Sequence, residues 1–373
     1  MNNALYRRYR PKTLEELLGQ DMVSEVLLNA AKQDKIGHAY LFYGSRGTGK
    51  TTAARLIAKI VNCEKRISDT TFQKKGEPCN ECRPCKEIDA GHALDVIEID
   101  AASNRGIDEM RNLKEGIRLS PISYKYKVFI IDEAHQLTKE ASNALLKTLE
   151  EPPAHAIFIL ATTEYDKLLP TITSRTQRFN FRRPTFKTIL NKLEKIADEE
   201  KLKINPKTLQ LIARSADGSF RDAESLLEQV VSLGAGENVT DVEQILGKIG
   251  LERTATLAEY LIVGDMRKTL SYLEDVYESG SNIVQLAKDL IHHLRRTLAL
   301  KYEPSLSVIF ERELSEEEIK TLSRHATLIT DEKRIIILLK SLIRAYGEMK
   351  YSPFAFIPLQ VAIIENLIDS NKK

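Results

Sequence analysis

The chain lacks what marks several common protein classes. No run of about 18 apolar residues occurs along its 373 residues, which argues against a helix spanning a bilayer. The opening MNNALYRRYRPKTLEELLGQ has no apolar core of the kind a secretory leader carries, so a cytoplasmic protein is expected, with no membrane partner. Charge of one sign is also missing: 55 Lys and Arg stand against 53 Asp and Glu, a net charge of +2. A protein that held nucleic acid by bulk electrostatics would be far more basic. Any contact with DNA must therefore run through a local stripe or a surface shared within an assembly. Internal repeats and low-complexity tracts are absent. Cysteine is scarce, 4 in all, and confined to one window.

What is present reads as two or three domains, since the length exceeds one typical domain and 42% of residues are hydrophobic. Up to about residue 180, short β-rich runs alternate with helical spacing. The runs are HAYLFYG (38–44), DVIEID (95–100), YKVFIIDEAH (126–135) and HAIFILATT (155–163). Near-continuous apolar segments of this length are how buried parallel strands read. Alternation of strand and helix predicts an α/β core with a mostly parallel sheet over 1–180. From about 183 the strand signals stop. Helices are expected near 186–201, 206–216 and 219–233, forming a small helical domain over 181–240. Gly234, Gly236 and the stretch Asn238-Val239-Thr240-Asp241 then mark a boundary, with Thr240 as the expected N-cap of the next helix. Residues 241–373 read as an all-α bundle, broken at Gly264-Asp265, Ser279-Gly280, Glu303-Pro304 and Ser352-Pro353.

Two features carry chemistry. Gly44-Ser45-Arg46-Gly47-Thr48-Gly49-Lys50-Thr51, followed by Thr52, fits G-x-x-x-x-G-K-[ST] and lies between a strand and a helix, the context this phosphate-binding loop requires. Glycines let backbone N–H groups turn inward around phosphates, and the helix that follows adds its positive end. Lys50 is expected to reach the β- and γ-phosphates of ATP, and Thr51 to ligate Mg²⁺. The acidic partner is Asp132-Glu133, delivered at the C-terminal edge of Val128-Phe129-Ile130-Ile131, where open α/β sheets bind ligands. Asp132 would hold Mg²⁺ through water and Glu133 would orient or deprotonate the attacking water. With loop and acids both intact, hydrolysis is expected as well as binding.

Cys63, Cys79, Cys82 and Cys85 have the spacing C-x15-C-x2-C-x2-C. Four thiolates around tetrahedral Zn²⁺ make a closed structural site. Two disulfides or an iron–sulfur cluster are the alternatives; a reducing compartment disfavours the first, and nothing points to redox chemistry for the second. The expected role is to staple an insertion at about 63–90. His92 is a spare ligand that four thiols make unnecessary.

Taken together these residues resemble one family, the gamma/tau subunit of bacterial DNA polymerase III, the motor of the clamp loader. The strings that carry the resemblance are YRRYRPKTLEELLGQ, HAYLFYGSRGTGKTTAARLIAK, the four cysteines, DVIEIDAASNRGIDEMR, KVFIIDEAHQLTKEASNALLKTLEEPP, FILATTEYDKLLPTITSR and ADGSFRDAESLLEQ. They cover about residues 4–250; beyond that only helical character and position match. The resemblance implies an AAA+ core, a helical lid and a collar bundle through which several copies associate. The implied partners are clamp-loader subunits of the delta and delta-prime type, the sliding clamp and primer–template DNA near the nucleoid. An intact loop and Glu133 argue against a non-hydrolysing subunit of the same complex. The cysteine insertion and all-helical collar argue against a branch-migration helicase.

The resemblance also assigns residues. Arg175 matches the arginine finger donated to a neighbour's ATP site, although Thr176 stands where the family usually has Cys. Thr163 matches the sensor of the γ-phosphate, and Arg221 the second sensor on the lid. Tyr6, Arg10, Pro11 and Leu18 fall where the family packs adenine. Arg105 and Arg111, with Lys114 near them and Lys139 as a weaker candidate, fall where the family tracks DNA phosphates. Many relatives carry a further C-terminal region that binds the replicative helicase and the polymerase. Ending at Lys373, this sequence is expected to be either a short form that only loads clamps or a truncated chain.

Overall fold

The apolar runs of the first half form one parallel sheet. The computed structural model describes residues 4–103, 116–117, 119–245, 251–311, 314 and 316–370. In it β1 (Ala39–Gly44), β2 (Val96–Asp100), β3 (Lys127–Asp132), β4 (Ala156–Thr162) and β5 (Gln177–Phe181) pair in the order β2-β3-β4-β1-β5. All the pairings are parallel, and Asp100 lies level with Asp132. Because both faces are covered, successive residues of a strand feed different cores. Tyr40, Phe42, Val128, Ile130 and Ile159 pack on one side with the helices Asp21–Lys32 and Lys50–Asn62. Leu41, Phe129, Ile131, Phe158 and Leu160 pack on the other with the helix Lys139–Glu150. Four of the strands were legible as apolar runs. β5 was not, because QRFNF is an edge strand whose residues up to Asn180 are exposed or half-buried, with Gln177, Arg178 and Asn180 polar.

Contact density divides the chain into two units, Met1–Pro184 with Gly218–Ser225, and Thr185–Asp217 with Leu226–Lys373. The second unit is helical throughout its described residues. Its breaks coincide with side-chain caps that satisfy otherwise unpaired helix N–H groups. Thr185 accepts from the N–H of Thr188, Asn205 from Lys207, Asp265 from Lys268, Asn282 from Gln285 and Asp331 from Arg334. The breaks at Gly264-Asp265, Ser279-Gly280, Glu303-Pro304 and Ser352-Pro353 all separate helices, and a further one precedes Glu332. Thr240 is not an N-cap: the helix Val239–Ile245 begins one residue before it, placing Thr240 in the first turn. Within this unit Arg214 pairs with Glu318 at 2.6 Å, joining segments that the sequence reading assigned to separate helical domains. No helix among the described residues is long and apolar enough to cross a membrane.

Candidate functional site

The phosphate loop joins β1 to the helix Lys50–Asn62, and its glycines sit where only glycine is comfortable. Gly44, Gly47 and Gly49 have φ of 146°, 73° and 101°. At Gly44 a Cβ would meet the carbonyl oxygen of Phe181 at 2.2 Å, and at Gly47 it would meet Ser219 Oγ at 1.9 Å. The helix then runs KTTAARLIAKIVN, with apolar positions on a 3.6-residue period, and stops where Cys63 turns extended. Ser45, Arg46, Thr48 and Thr52 lie where the sequence put them; Thr48 Oγ1 donates to Ser45 O at 2.9 Å and so closes the loop on itself.

Lys50 is 6% exposed, and its Nζ donates to the carbonyls of Gly44 and Ser45, both at 2.8 Å. Burial holds this ammonium below its ordinary pKa, an effect opposed by the carboxylates of Glu133 and Asp132. Thr51 Oγ1 donates to Asp132 Oδ2 at 2.8 Å, so the loop and the end of β3 meet across 81 residues of sequence.

Beyond Asp132 the backbone turns sharply. Glu133 has φ 48°, rare for a residue with a side chain, and its N–H donates back to Asp132 Oδ1 at 2.9 Å. This turn presents the Glu133 carboxylate to the end of β4. There Thr163 donates to Glu133 Oε2 from its hydroxyl at 2.8 Å and from its N–H at 3.2 Å. His135 supports the arrangement: its Nδ1 lies 2.9 Å from Thr162 Oγ1 and 3.4 Å from Glu133 Oε2, and its Nε2 lies 3.3 Å from Glu164. Sequence reasoning missed His135, although it falls two residues after the acidic pair.

Residues remote in sequence complete the surroundings. The buried amide of Gln20 accepts from the N–H of Arg182 at 3.0 Å and donates to its carbonyl at 2.7 Å. Arg183 Nε donates to Ser45 Oγ at 2.9 Å, and the N–H of Phe220 donates to Gly47 O at 3.1 Å. Gln20 and Arg183 carried no signal in sequence, since a lone Gln or Arg is unremarkable until the fold brings it to the loop. Arg221 stacks its guanidinium over the ring of Tyr6, 5.1 Å from the centroid. Among the four residues expected at adenine, Tyr6, Arg10 and Pro11 are half-buried and Leu18 is 42% exposed. A Cβ at Gly49 would lie 3.7 Å from Cδ2 of the neighbouring Leu17.

Arg175 follows the short helix Pro170–Thr173. Its Nη2 is 2.5 Å from Glu150 Oε1, and its Nη1 donates to Thr171 O and Ser174 Oγ at 2.9 and 3.2 Å. None of these partners belongs to the phosphate loop. Thr176 donates to the carbonyls of Ile172 and Thr173 through a hydroxyl that a cysteine thiol would replace only weakly.

The four cysteines converge. Their Sγ atoms all lie within 4.8 Å of one another, with Cys63 and Cys82 4.0 Å apart. A tetrahedral Zn²⁺ with ~2.3 Å bonds to sulfur needs sulfurs about 3.8 Å apart, so the quartet fits such an ion. Backbone N–H groups point at the sulfurs: Cys79 donates to Cys63 Sγ, and Glu81 and Cys82 donate to Cys79 Sγ, at 3.3 to 3.5 Å. Asn80 takes φ 60° to make that turn. His92 stands outside the quartet. The insertion is tied to the loop helix by Lys59, fully buried, whose Nζ donates to both oxygens of Asp89 at 2.9 Å.

Of the residues expected at DNA, Arg105, Arg111 and Lys114 lie outside the described residues, as does the side chain of Lys139, whose backbone opens the helix Lys139–Glu150.

Comparison with known proteins adds three family matches along the chain. Residues 19–185 match a family described as DNA polymerase III, delta subunit. Residues 188–236 match the ATPase lid domain of a DNA polymerase III clamp loader subunit, and 238–371 match domain III of the gamma and tau subunits. A DNA polymerase III subunit tau of Bacillus subtilis is 43% identical over 97% of this chain, which spans 62% of that relative's length. A subunit gamma from Buchnera aphidicola is 34% identical over 96% of this chain and 97% of its own. Among solved structures, the RuvB Holliday junction branch migration motor of Thermotoga maritima is similar with a TM-score of 0.46 at 20% identity, covering 68% of this chain and 79% of that one.

Proposed function

The chain belongs to the gamma and tau subunit family of DNA polymerase III, and from that membership we propose that it is an ATP-driven motor subunit of a bacterial sliding-clamp loader. The observation that carries the hydrolytic part is the junction of loop and acid strand, Thr51 Oγ1 on Asp132 and Thr163 on Glu133, both at 2.8 Å. Lys50 and the loop N–H groups receive the phosphates of ATP. Thr51 and Asp132 would hold Mg²⁺, which would supply positive charge against the phosphates of ATP. Glu133 orients the attacking water. A γ-phosphate that engages Thr163 competes for the hydroxyl that now holds Glu133 Oε2, so sensing and activation share one hydrogen bond.

Arg175 acts in trans. Its guanidinium offsets charge on the γ-phosphate of a neighbouring subunit, which couples hydrolysis to assembly. Its present partners, Glu150 among them, are compatible with that role because none belongs to its own loop. Arg221, stacked on Tyr6, closes over the nucleotide, with Arg10, Pro11 and Leu18 toward the adenine. The cysteine quartet holds Zn²⁺ as a structural staple, and its sulfur spacing supports that assignment.

The working division is a core over 1–180, a lid over 181–240 and a collar over 241–373, and the family matches break at similar points. Association of several copies through the collar is supported by the final helix. Ile357, Val361 and Ile368 are 51%, 47% and 43% exposed and fall within about 40° of one another around the helix Phe356–Ser370, an apolar stripe on the surface. Delta- and delta-prime-type subunits complete the assembly, which opens the clamp and sets it on primer–template DNA in the cytoplasm, at the nucleoid. ATPase activity is measured alone, then with partner subunits, clamp and primed DNA. Strong stimulation is expected only in the full mixture, and equal rates in all mixtures would refute the motor assignment.

A further inference from the structure

A cavity of about 340 Å³ opens at the edge of the sheet opposite the phosphate loop. It is bordered by the residues that lead into β1, β3 and β4, and by the first turn of the cysteine insertion. Its volume falls in the range of small-molecule sites. Ile36, Val61 and Ile157 give it an apolar wall, and Arg66 and Lys125 give it cationic groups.

Arg66 is the unusual member. It is 4% exposed; its Nη2 donates to Ala31 O at 3.1 Å, and the nearest carboxylate, Asp34, stands 3.7 Å away with its own side chain 60% exposed. The Nη1 is buried without a hydrogen-bond partner. Asp34, Cys63 and Glu77 offset part of the desolvation cost of this buried guanidinium, and a hydrogen-bonding anion would recover the cost of the unsatisfied nitrogen. Among the lining Arg, Lys and Asp side chains, Arg66 and Lys125 stand against Asp34, a formal balance of +1. That balance matches one negative charge on an apolar body better than a phosphate dianion.

We propose that this cavity is a binding site for an organic monocarboxylate, with the carboxylate on Arg66 and Lys125 and the carbon skeleton against Ile36, Val61 and Ile157. The carboxylate could belong to a free metabolite or to the C-terminus of a peptide, and the two are separable. The ATP site takes no part, so the site stands independently of the motor assignment; Arg66 also bonds through its backbone to Cys63 of the quartet, and zinc content is therefore followed in the Arg66 variant.

The test is binding to the whole chain by ligand-observed NMR and calorimetry, with 4-phenylbutyrate as the probe and 4-phenylbutyramide and inorganic phosphate as controls. Saturable binding of the acid is expected, with the amide weaker by about tenfold or more, the worth of one charge-assisted hydrogen bond. Lys125→Ala, at the exposed rim, should weaken the acid about threefold without touching the fold. Arg66→Gln, checked for unchanged zinc content and circular dichroism, should abolish binding. An acetylated hexapeptide ending in a free leucine that also binds assigns the site to chain ends; failure of the peptide beside success of the acid assigns it to metabolites. No saturable binding of the acid up to about 10 mM, the weak limit for a specific site, would overturn the proposal. Equal affinity for acid and amide would overturn it too, as would full binding by Lys125→Ala together with a folded Arg66→Gln.

Discussion

Replacing Arg175 by alanine tests the proposed trans finger, because the change should cost catalysis far more than stability. Arg175 pairs with Glu150 at 2.5 Å, the two side chains being 34% and 46% exposed, and it donates to Thr171 O and Ser174 Oγ. An exposed pair of this kind is worth about 0–1 kcal/mol. On a unit of this size that moves the melting midpoint by no more than about 2–4 °C. An arginine finger, by contrast, contributes about 10³- to 10⁵-fold to turnover, or about 4–7 kcal/mol of barrier. Arg175→Ala is therefore expected to melt almost where the parent does and to bind a fluorescent ATP analogue with unchanged affinity. Its ATPase, assayed in the full mixture with clamp and primed DNA, should lose its stimulation. Mixing the variant with a hydrolysis-dead Lys50→Ala chain sharpens the assay, because a finger given in trans lets the two defective chains restore partial activity at mixed interfaces. Near-normal stimulated turnover in Arg175→Ala would refute the trans assignment. A loss of ATP affinity equal to the loss of rate would refute it as well, since the role would then be binding.

Three other expectations follow from particular contacts. Gly44→Ala should destabilise the first unit by about 2–4 kcal/mol in thermal or urea unfolding, because its Cβ meets the backbone carbonyl of Phe181, which cannot swing aside, at a φ that side chains avoid. Cys85→Ser, in a protein found by mass spectrometry to carry one zinc, should lose the metal and lower the melting midpoint by about 5–10 °C; a metal-free parent that melts like the variant contradicts the zinc reading. In the helical unit, His293 Nε2 lies 2.9 Å from His325 Nδ1, and burial, the neighbouring His325 and Arg296 push the His293 pKa down to about 3. The unfolded chain therefore binds a proton at His293 that the folded chain refuses. Its contribution is fully present above about pH 6.5 and is lost as the pH falls from there toward 3. Between pH 7.5 and 5.5 His293 alone should remove about 1.4 kcal/mol, read as faster amide exchange in the helix Ile283–Tyr302, and His293→Gln should flatten that dependence.

Much of the core was legible because its signals are contiguous. A buried parallel strand needs an unbroken apolar run, and HAYLFYG, KVFIID and AIFILAT carry one. The edge strand Gln177–Phe181 carries none, and it shows itself only through its register with β1. Helix breaks were legible at Gly264-Asp265 and Glu303-Pro304 because capping and proline act locally. The boundary after Gly236 was read two residues late, since Asn238 and Thr240 both resemble caps and only the backbone distinguishes them.

The phosphate-loop motif, the acidic pair and the cysteine quartet are all legible from spacing along the chain. In each, a fixed spacing of residue types is dictated by the ligand: N–H groups around phosphate, carboxylates at a strand end, sulfurs at the corners of a tetrahedron. Tertiary structure alone decided what surrounds them. Gln20 reaches Arg182 across 162 residues, Arg183 reaches Ser45 across 138, and Thr163 reaches Glu133 across 30. It also decided that Arg175 rests on Glu150 and that Arg66 lies buried beside a cavity. Such contacts depend on where the folded sheet brings distant chain segments together, and no spacing rule along the chain encodes them.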